Sequence, residues 1–348
     1  MQALGRAAYA LVLALLLPAY ALAKLRRGGP AALRLRERWG LAPPAGAAVW
    51  ANFASLGEFN ACKELLLALQ QRGHRLLLTH SAEAARAIAA RATGAPVHAL
   101  PLDFASTMAR FVRRQRPRLC LLVEQELWPN LVDQVRRRGA PVAVVNARLS
   151  RRTARRHARL FPFTRRLFEG LDLVCAQDAD AARRFRALGA PRVEVTGNMK
   201  FDRRPDAAKV AEGEALRRRL NEAWPGRPVL LLASTRAHRG QAEEKLLLDA
   251  LAPLLAKVVL LLVPRHLERM DEAAKILAGR GLAYSRRSSL APDARPAAMV
   301  LGDTLGSMDC YVACADLVFM GASLVAKGGQ NPMEAFVQGK AVLCGPHM

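Results

Sequence analysis

The sequence has few acidic residues and few aromatic residues. Its 348 residues include 53 lysines and arginines but only 29 aspartates and glutamates, which gives a formal net charge of +24. This imbalance favours an anionic partner, such as a phosphorylated substrate, an acidic lipid surface or a nucleic acid. Aromatic residues make up only 5% of the chain. The arginines therefore lack the aromatic platform that binding to single-stranded nucleic acid uses.

Several common motifs are absent, and each absence argues against a class of protein. The chain contains no GxxxxGK[ST] phosphate loop, no GxGxxG turn, no HExxH zinc motif and no GxSxG nucleophile turn. Six cysteines occur without a CxxC pair, most of them inside apolar stretches. We interpret them as buried thiols of a protein in a reducing compartment, rather than as disulfides or zinc ligands.

One long apolar run lies near the amino terminus, from Ala7 to Ala23. Its length is close to the minimum for a membrane-spanning helix. A signal peptide is the alternative, because Ala-Leu-Ala precedes Lys24, but signal peptides carry their positive charge before the apolar core. Here the basic cluster Lys24–Arg27 follows the core. We therefore predict a membrane anchor over residues 1–23, a basic juxtamembrane segment over 24–40, and a body on the cytoplasmic side.

Short apolar runs alternate with longer amphipathic segments along the rest of the chain. This β–α alternation predicts parallel sheets covered by helices on both faces. A polar stretch at 201–213 predicts a linker between an N-terminal domain (41–200) and a C-terminal domain (214–348). Two doubly wound domains would bind ligands in a cleft at the carboxyl ends of their strands. The predicted strands are Ala48–Phe53, Arg75–Thr79, Arg118–Val123, Pro141–Val145, Leu171–Ala176, Val193–Thr196, Pro228–Ala233, Lys257–Val263, Ala297–Leu301, Leu317–Met320 and Ala341–Cys344, and the predicted helices include Asn60–Arg72, Ala82–Arg91, Phe104–Gln115 and Asn130–Arg138.

Candidate site residues in the first domain follow three of these strands. Ser55, Gly57 and Glu58 lie where the first strand turns into a helix, a position where ligands bind in such sheets. Ser55 and Glu58 also fit a capping box, which would stabilise the helix start without any catalytic role. Alternatively, a carboxylate dehydrated in a cleft would have a raised pKa and act as a general base. After two further strands come Glu124, Glu126, Asn146 and Arg148.

The stretch KGGQNPMEA, from Lys327 to Ala335, is the most informative part of the second domain. Gly328 and Gly329 expose backbone amides just before a predicted helix, and such a loop is suited to phosphate binding. A well-capped helix would explain Asn331 and Glu334 equally well, but it would not require two adjacent glycines. Further candidates at the ends of predicted strands are Arg265, His266, Arg269, Gly302 and Asp303.

One Asp-x-Asp pair, Asp178 and Asp180, is of the type that binds a sugar nucleotide through a metal ion. The pair opens a predicted helix, where acidic residues are favoured as caps and by the helix dipole. We therefore favour the capping interpretation and expect neither a metal ion nor another cofactor.

Nine short motifs occur in one order along the chain: ASLGE, ELWPN, NARLS, TGNMKFD, Ser234-Thr235, VPRH, GDTLG, GASLVAKGGQNPMEA and GPH. This series resembles the Kdo transferases, which move 3-deoxy-D-manno-oct-2-ulosonic acid (Kdo) from its CMP donor to the lipid A precursor, lipid IVA. The resemblance extends from the juxtamembrane region to the end of the chain. It implies an α/β fold of the GT-B type, an inverting and metal-independent transfer, and a location on the cytoplasmic face of the inner membrane.

The resemblance also implies roles for individual residues. Glu58 matches the family's proposed catalytic base. The residues expected to contact the CMP-Kdo donor are Lys200, Ser234, Arg265, His266, Gly302, Asp303, Gly328, Gly329, Asn331 and Glu334. The residues expected on the acceptor side of the cleft are Ser55, Gly57, Glu124, Glu126, Asn146 and Arg148.

The chain departs from the family pattern at several positions. The family usually has His where Asn52 stands, Glu where Ser307 stands and His where Gln330 stands. Family members also continue beyond GPH, so we expect this sequence to be C-terminally incomplete.

Residues 148–166 are rich in arginine. We predict that Arg152, Arg155, Arg156 and Arg159, with Phe161 and Phe163, face the anionic lipids of the inner membrane. A solvated helix is the simpler interpretation. Two other functions stay open: a GT-B transferase with another donor, such as a UDP-sugar, and a basic nucleic-acid-binding protein. A membrane anchor fits the second poorly, and we expect no nucleic-acid partner.

Overall fold

A computed structural model of the chain describes residues 2–29, 33–46, 49–81 and 83–348. The chain divides into two compact units, Met1–Arg203 and Arg204–Met348. Each unit contains one parallel β-sheet with helices on both faces, as the alternating pattern predicts. Each of the eleven predicted strands is present, with ends shifted by a few residues at most.

The N-terminal unit contains a seven-stranded parallel sheet with the order β3-β2-β1-β4-β5-β6-β7. The strand order therefore reverses between β1 and β4. The strands are β1 (Val49–Phe53), β2 (Leu76–His80), β3 (Val97–Ala99), β4 (Leu119–Val123), β5 (Val142–Ala147), β6 (Leu173–Ala176) and β7 (Val193–Val195), and the helices are α1 (Gln2–Gly28), α2 (Leu35–Arg38), α3 (Leu56–Gln71), α4 (Ala84–Thr93), α5 (Ala105–Gln115), α6 (Pro129–Arg136), α7 (Arg151–Arg159), α8 (Phe161–Glu169) and α9 (Ala179–Ala187).

The central strands of this unit are apolar on both faces because helices cover both sides. Trp50 packs with Phe111 of α5 on one face, at a ring-centroid distance of 4.9 Å. Phe53 packs with Phe59 of α3 on the opposite face, at 5.3 Å. Strand β3 was not predicted, because three residues are too few to establish a periodic pattern.

The C-terminal unit contains a six-stranded parallel sheet with the order β12-β13-β11-β8-β14-β15, and a separate hairpin of β9 and β10. Its strand order reverses between β8 and β14. The strands are β8 (Val229–Thr235), β9 (Ala237–His238), β10 (Gln241–Ala242), β11 (Val259–Pro264), β12 (Ser285–Arg286), β13 (Met299–Leu301), β14 (Leu317–Met320) and β15 (Ala341–Cys344), and the helices are α10 (Ala207–Ala223), α11 (Glu243–Leu251), α12 (Met270–Ala278), α13 (Met308–Cys314) and α14 (Met333–Phe336).

The predicted linker, residues 201–213, contains the boundary between the units but is helical in its second half. Asp206 caps α10 by accepting hydrogen bonds from the amides of Ala208 and Lys209, at 3.0 and 3.3 Å. Gly213 is buried against α13, where a Cβ atom would collide with the Cys310 carbonyl. The buried face of α10 consists partly of small residues, so its hydrophobic pattern is weak in the sequence.

Residues Gln2–Gly28 form one helix, α1, whose Leu11, Leu15 and Leu16 are exposed. The Tyr9 hydroxyl donates a hydrogen bond to the Asp103 carboxylate at 2.9 Å. Within the described residues, no helix is both long enough and apolar enough to span a membrane. The anchor over residues 1–23 stays a prediction.

Candidate functional site

Glu58 lies in the first turn of α3, at the edge of the sheet where the strand order reverses. The Ser55 hydroxyl accepts a hydrogen bond from the Glu58 amide at 3.2 Å, and the Glu58 carboxylate accepts one from the Ala54 amide at 2.5 Å. The local sequence therefore forms a capping-box arrangement, which fixes where the carboxylate stands. Gly57 between them is exposed and leaves the approach to this turn open.

The surroundings of Glu58 raise the pKa of its carboxyl group above the ordinary value. Partial burial is the main cause that raises the pKa of Glu58 to about 7, and the carboxylates of Glu126 and Glu124 raise it further. Hydrogen bonds to the Glu58 carboxylate from the backbone amides of Ala54 and Ser55 oppose this increase in its pKa. A carboxylate with a pKa near 7 can accept a proton from a hydroxyl group more readily than an ordinary glutamate.

Glu126 is held beside this turn by a chain of buried hydrogen bonds. Its Oε2 accepts from Asn52 Nδ2 at 3.1 Å and from Trp128 Nε1 at 3.0 Å. Asn52 is fully buried, and its Oδ1 accepts from the Thr79 hydroxyl at 2.8 Å. That hydroxyl accepts in turn from the Trp50 indole N–H at 2.8 Å. Asn52, one of the departures from the family pattern, thus donates directly to a site carboxylate.

Glu124 forms a second cluster at the ends of β4 and β5. This buried carboxylate pairs with Arg148 Nε at 3.0 Å and Lys200 Nζ at 3.9 Å, and accepts from Asn146 Nδ2 at 3.4 Å. Asn146 Oδ1 accepts from the Met199 amide at 3.0 Å, which docks the short 3₁₀ helix bearing Lys200 onto this unit. Lys200, predicted as a donor contact, therefore lies among the residues predicted for the acceptor side.

Both Glu124 and Asn146 have left-handed backbones, with φ of 56° and 51°. Such conformations cost energy in residues other than glycine, and they occur often at functional sites. The carboxyl edge of the first sheet thus brings together Glu58, Glu126, Glu124, Asn146, Arg148 and Lys200.

The predicted donor residues of the C-terminal unit follow its central strands. Ser234 lies near the end of β8 and Gly302 follows β13, where a Cβ atom would collide with Tyr311 and Val263. The Asp303 carboxylate accepts from the Ser288 amide at 2.8 Å and the Ser288 hydroxyl at 2.7 Å. Asp303 therefore fixes a neighbouring loop, and Gly302 meets a packing requirement.

The two adjacent glycines have left-handed backbones, with φ of 81° at Gly328 and 67° at Gly329. The Gly329 amide donates to the Ala322 carbonyl at 2.8 Å, so it does not offer the free donor that we predicted. Asn331 Oδ1 accepts from the Met333 amide at 3.2 Å, as a capping residue would. The helix that follows, α14, has only four residues, so its dipole adds little to anion binding.

Arg265 and His266 follow β11 and are exposed, whereas Arg269 is held in a salt bridge. Arg269 Nη2 contacts the buried Glu244 carboxylate at 2.7 Å, and Nη1 contacts Glu272 at 2.8 Å. Of these three predicted donor-site residues, Arg269 therefore has a structural role.

The Asp-x-Asp pair stabilises a helix. Asp178 caps α9 by accepting from the Ala181 amide at 2.6 Å, and Asp180 pairs with Arg184 at 2.8 Å. Within the described residues, no three His, Cys, Asp or Glu side chains are grouped so as to hold a metal ion.

The family described as 3-deoxy-D-manno-octulosonic-acid transferase (kdotransferase) matches residues 33–203. A 3-deoxy-D-manno-octulosonic acid transferase from Bordetella pertussis is 40% identical, and the alignment covers 99% of this chain and 84% of that protein. The chain belongs to the Kdo transferase family. It is therefore a glycosyltransferase, as the order of its motifs predicts.

Two further comparisons concern the family and the fold, respectively. A 3-deoxy-D-manno-octulosonic acid transferase from Haemophilus influenzae is 33% identical over 90% of this Kdo transferase and 75% of that protein. The crystal structure of a glycosyltransferase from Rickettsia africae is 10% identical, with a TM-score of 0.54 over 84% of this chain and 78% of that chain. The second likeness concerns the fold alone, and it supports two Rossmann-like units of the GT-B type.

The hairpin β9–β10 of this Kdo transferase was not predicted from the sequence. Its turn residues, Arg239 and Gly240, both have positive φ, at 49° and 80°, as a type I′ turn requires. The Arg-Gly pair was the available signal, but strands of two residues leave no periodic pattern beside it. The hairpin starts beside Arg236, whose Nη2 lies 2.6 Å from His266 Nε2.

The predicted membrane face of the Kdo transferase is α7. Arg152, Arg155, Arg156 and Arg159 are all exposed on this helix, and none of its residues is buried. The four arginines line a surface depression of about 810 Å³ together with Thr153 and Leu160. The side chains of Phe161 and Phe163 lie outside the described part of the chain.

Proposed function

We propose that this chain transfers Kdo from CMP-Kdo to lipid IVA, by an inverting reaction that needs no metal ion. The relatives from B. pertussis and H. influenzae are named as 3-deoxy-D-manno-octulosonic acid transferases. The observation that carries the proposal is the Glu58 carboxylate, which is partly buried at the reversal of strand order and has a pKa raised to about 7. A single base on the attacking side is sufficient for inversion.

Glu58 acts as the general base in this proposal. Its Oε2 stays bonded to the Ala54 amide, while Oε1 accepts the proton of an acceptor hydroxyl. The hydroxyl oxygen then forms a bond to the anomeric carbon of Kdo on the face opposite CMP. The bond between that carbon and the phosphate oxygen breaks, and its electron pair leaves with CMP as a phosphate monoester.

Negative charge develops on the departing phosphate, and the Kdo carboxylate is itself an anion. Lys200 and Arg148, held by Glu124, supply positive charge on the side of the base. Arg265 and His266 supply donor contacts on the C-terminal unit, where both side chains are exposed. Preorganised charges of this kind stabilise the transition state without a metal ion.

The acceptor is a phosphorylated lipid, so we also propose that the protein works at the cytoplasmic face of the inner membrane. Residues 1–23 provide a single-pass anchor, in line with the exposed leucines of α1. The four exposed arginines of α7 bind anionic lipid headgroups, each contributing about 1 kcal/mol near a charged leaflet.

Titration calorimetry with CMP, UMP and UDP tests the donor class. We expect CMP to bind the full chain more tightly than either uridine nucleotide. The complementary assay follows transfer of Kdo from CMP-Kdo, generated in place, to lipid IVA. Preferential binding of UDP would replace CMP-Kdo by a UDP-sugar donor.

A further inference from the structure

Glu243 is a fully buried carboxylate that joins two loops of the C-terminal unit. Its Oε2 accepts from the Arg236 amide at 2.9 Å and the Ala322 amide at 2.5 Å. Its Oε1 accepts from the amides of Ser323 and Leu324, both at 2.9 Å. Four amide donors compensate for the loss of water around a buried carboxylate, and they connect segments far apart in sequence.

The two connected segments both follow central strands of the sheet. One is the hairpin of β9 and β10, which carries His238 and Arg239 and is preceded directly by Arg236, the residue after β8. The other is the loop after β14, residues 321–331, which closes on itself through the hydrogen bonds from Gly329 to Ala322 at 2.8 Å and from Gln330 to Gly321 at 3.1 Å. Lys327 is exposed on this closed loop.

Ala322 adopts a left-handed backbone with φ of 59°, which is unfavourable for alanine. The hydrogen bond from its amide to Glu243 helps to hold this conformation. Glu243 therefore determines the shape of the loop as well as its position.

Both segments that Glu243 joins carry cationic side chains. Partial desolvation first, and then the charges of Lys327 and Arg239, lower the pKa of His238. Within the described residues, Arg236, Arg239, Arg265 and Lys327 form no ion pair with a carboxylate, in contrast to Arg217, Arg269, Arg280 and Arg286 of the same unit. Uncompensated positive charge beside a glycine-bearing loop is suited to phosphate or carboxylate binding.

We propose that Arg236 and Lys327 bind the anionic groups of the nucleotide-sugar donor, and that Glu243 is the positioning residue that assembles this site. The proposal rests on the proposed function, because the donor of a Kdo transferase carries both a phosphate and a sugar carboxylate. Arginine can contact such a group with two parallel hydrogen bonds, and lysine adds a compact charge.

The first experiment removes the two charges. Arg236→Gln and Lys327→Gln should each weaken CMP binding to the full chain about 10-fold in titration calorimetry, because a charge-assisted hydrogen bond is lost. Binding of cytidine, which has no phosphate, should not change. Arg218→Gln, which removes an exposed charge from α10, is the matched control and should bind CMP as the unaltered protein does.

The second experiment tests the positioning role. Glu243→Gln replaces one acceptor oxygen by a donor, so it should weaken CMP binding at least 10-fold and accelerate hydrogen exchange of the amides at 321–329. Glu244→Gln is the matched control, because Glu244 is equally buried on α11 but bonds the side chains of Thr235 and Arg269. It should leave CMP affinity and exchange at 321–329 unchanged.

A purely structural role for Glu243 would lower the melting temperature of Glu243→Gln but leave CMP affinity intact, and this result would overturn the positioning role. If Glu243→Gln does not fold, Arg236→Gln and Lys327→Gln decide the matter, since both side chains lie outside the core.

Failure of the site and failure of the proposed donor give different results. Tight CMP binding that neither Arg236→Gln nor Lys327→Gln weakens would reject the site and keep the proposed function. Binding of UDP instead of CMP, weakened by both changes, would keep the site and reject the CMP donor.

Discussion

Glu58 serves as a helix cap and, in our proposal, as a catalytic base, and the two roles can be separated by mutation. Glu58→Gln keeps an oxygen acceptor for the Ala54 amide but cannot take a proton. We expect it to slow transfer about 10²–10⁴-fold with CMP affinity nearly unchanged. Its unfolding free energy should match that of the unaltered protein below pH 4.5, where Glu58 is protonated in both the folded and the unfolded state. Glu58→Ala should show the same loss of rate and also lose about 1 kcal/mol of stability. Full activity of Glu58→Gln in the transfer assay would reject the base assignment.

The raised pKa of Glu58 predicts a pH dependence of both rate and stability. The base is ionised only above its pKa of about 7, so the transfer rate should rise as pH rises through that value. In the unfolded chain the same group has its ordinary pKa of 4.5. Between these two values the folded state binds the proton and the unfolded state does not, so this contribution to stability is complete below pH 4.5 and is lost as pH rises to 7.

The control for this dependence is Glu58→Gln, measured by urea unfolding over the same pH range. The variant lacks the titrating group, so the difference in unfolding free energy between it and the unaltered protein should change only within this window. Asp103, whose pKa burial also raises to about 7, is present in both proteins and cancels in the difference. A constant difference across the range would contradict the raised pKa.

The buried chain from Trp50 through Thr79 and Asn52 to Glu126 predicts a coupled loss of stability. Thr79→Val leaves the Trp50 indole N–H and the Asn52 side-chain oxygen Oδ1 without this partner, which should lower the free energy of unfolding by about 1–3 kcal/mol. Trp50→Phe removes that donor, so the two changes together should cost less than their sum in urea unfolding. Thr93→Val, a buried threonine bonded to the Ala89 carbonyl, should show no such coupling with Trp50→Phe. Additive losses of unfolding free energy for the Trp50 and Thr79 changes would mean that these hydrogen bonds are not energetically coupled.

At the scale of single elements, helix α7 has no buried face within its own unit. All its arginines are exposed and none of its residues is buried. If the helix binds anionic lipid, replacing Arg152, Arg155, Arg156 and Arg159 by Gln should weaken binding to anionic vesicles by orders of magnitude in a protein that lacks residues 1–27, since the proposed anchor would hold the full chain on the membrane regardless. It should also raise the acceptor KM while the donor KM stays the same. Vesicle co-sedimentation at two salt concentrations is the measurement.

The matched control for α7 removes four exposed arginines that lie outside this helix: Arg91, Arg138, Arg183 and Arg218. The net charge of this variant equals that of the α7 variant, so a general effect of charge would weaken vesicle binding equally in both. Equal losses would show that α7 has no special position, and undiminished binding of the α7 variant would leave it as a solvated helix.

Elements differed in how well the sequence predicted them. Strands such as β4 and β11 are continuous apolar runs, and their bounds were predicted to within two residues. The sequence predicts a linker over 201–213 where α10 begins, because the buried side of α10 includes Gly213 and Ala223 beside Leu216 and Leu220. The sequence does not predict the hairpin β9–β10, because the hairpin is stabilised by its backbone conformation and by the hydrogen bond from the Arg236 amide to Glu243 rather than by a hydrophobic pattern.

At the scale of the whole molecule, the proposed reaction predicts that a chelator has no effect. Asp178 caps α9 and Asp180 pairs with Arg184, so the two carboxylates are not organised to bind a metal ion. Transfer rates with and without EDTA should therefore agree, after the protein has been dialysed against the chelator. Strong inhibition that added Mg²⁺ or Mn²⁺ reverses would overturn the metal-independent mechanism.

The amino-acid sequence by itself determined the two parallel sheets, the family and the position of Glu58. These features depend on local information: apolar runs define buried strands, and each motif follows one strand directly. The capping box of Ser55 and Glu58 involves residues three positions apart, so both the cap and the candidate base could be predicted from a single stretch.

Only the tertiary structure decided the partners of the polar side chains. Asn52 and Glu126 are 74 positions apart, and Glu243 and Leu324 are 81 positions apart, yet each pair forms a hydrogen bond. The placement of Lys200 beside Glu124 and the use of the Gly329 amide within its own loop were likewise not predicted. The physical reason is that a parallel sheet brings the ends of strands together in an order set by packing, while a hydrogen bond depends on the final distance between two atoms.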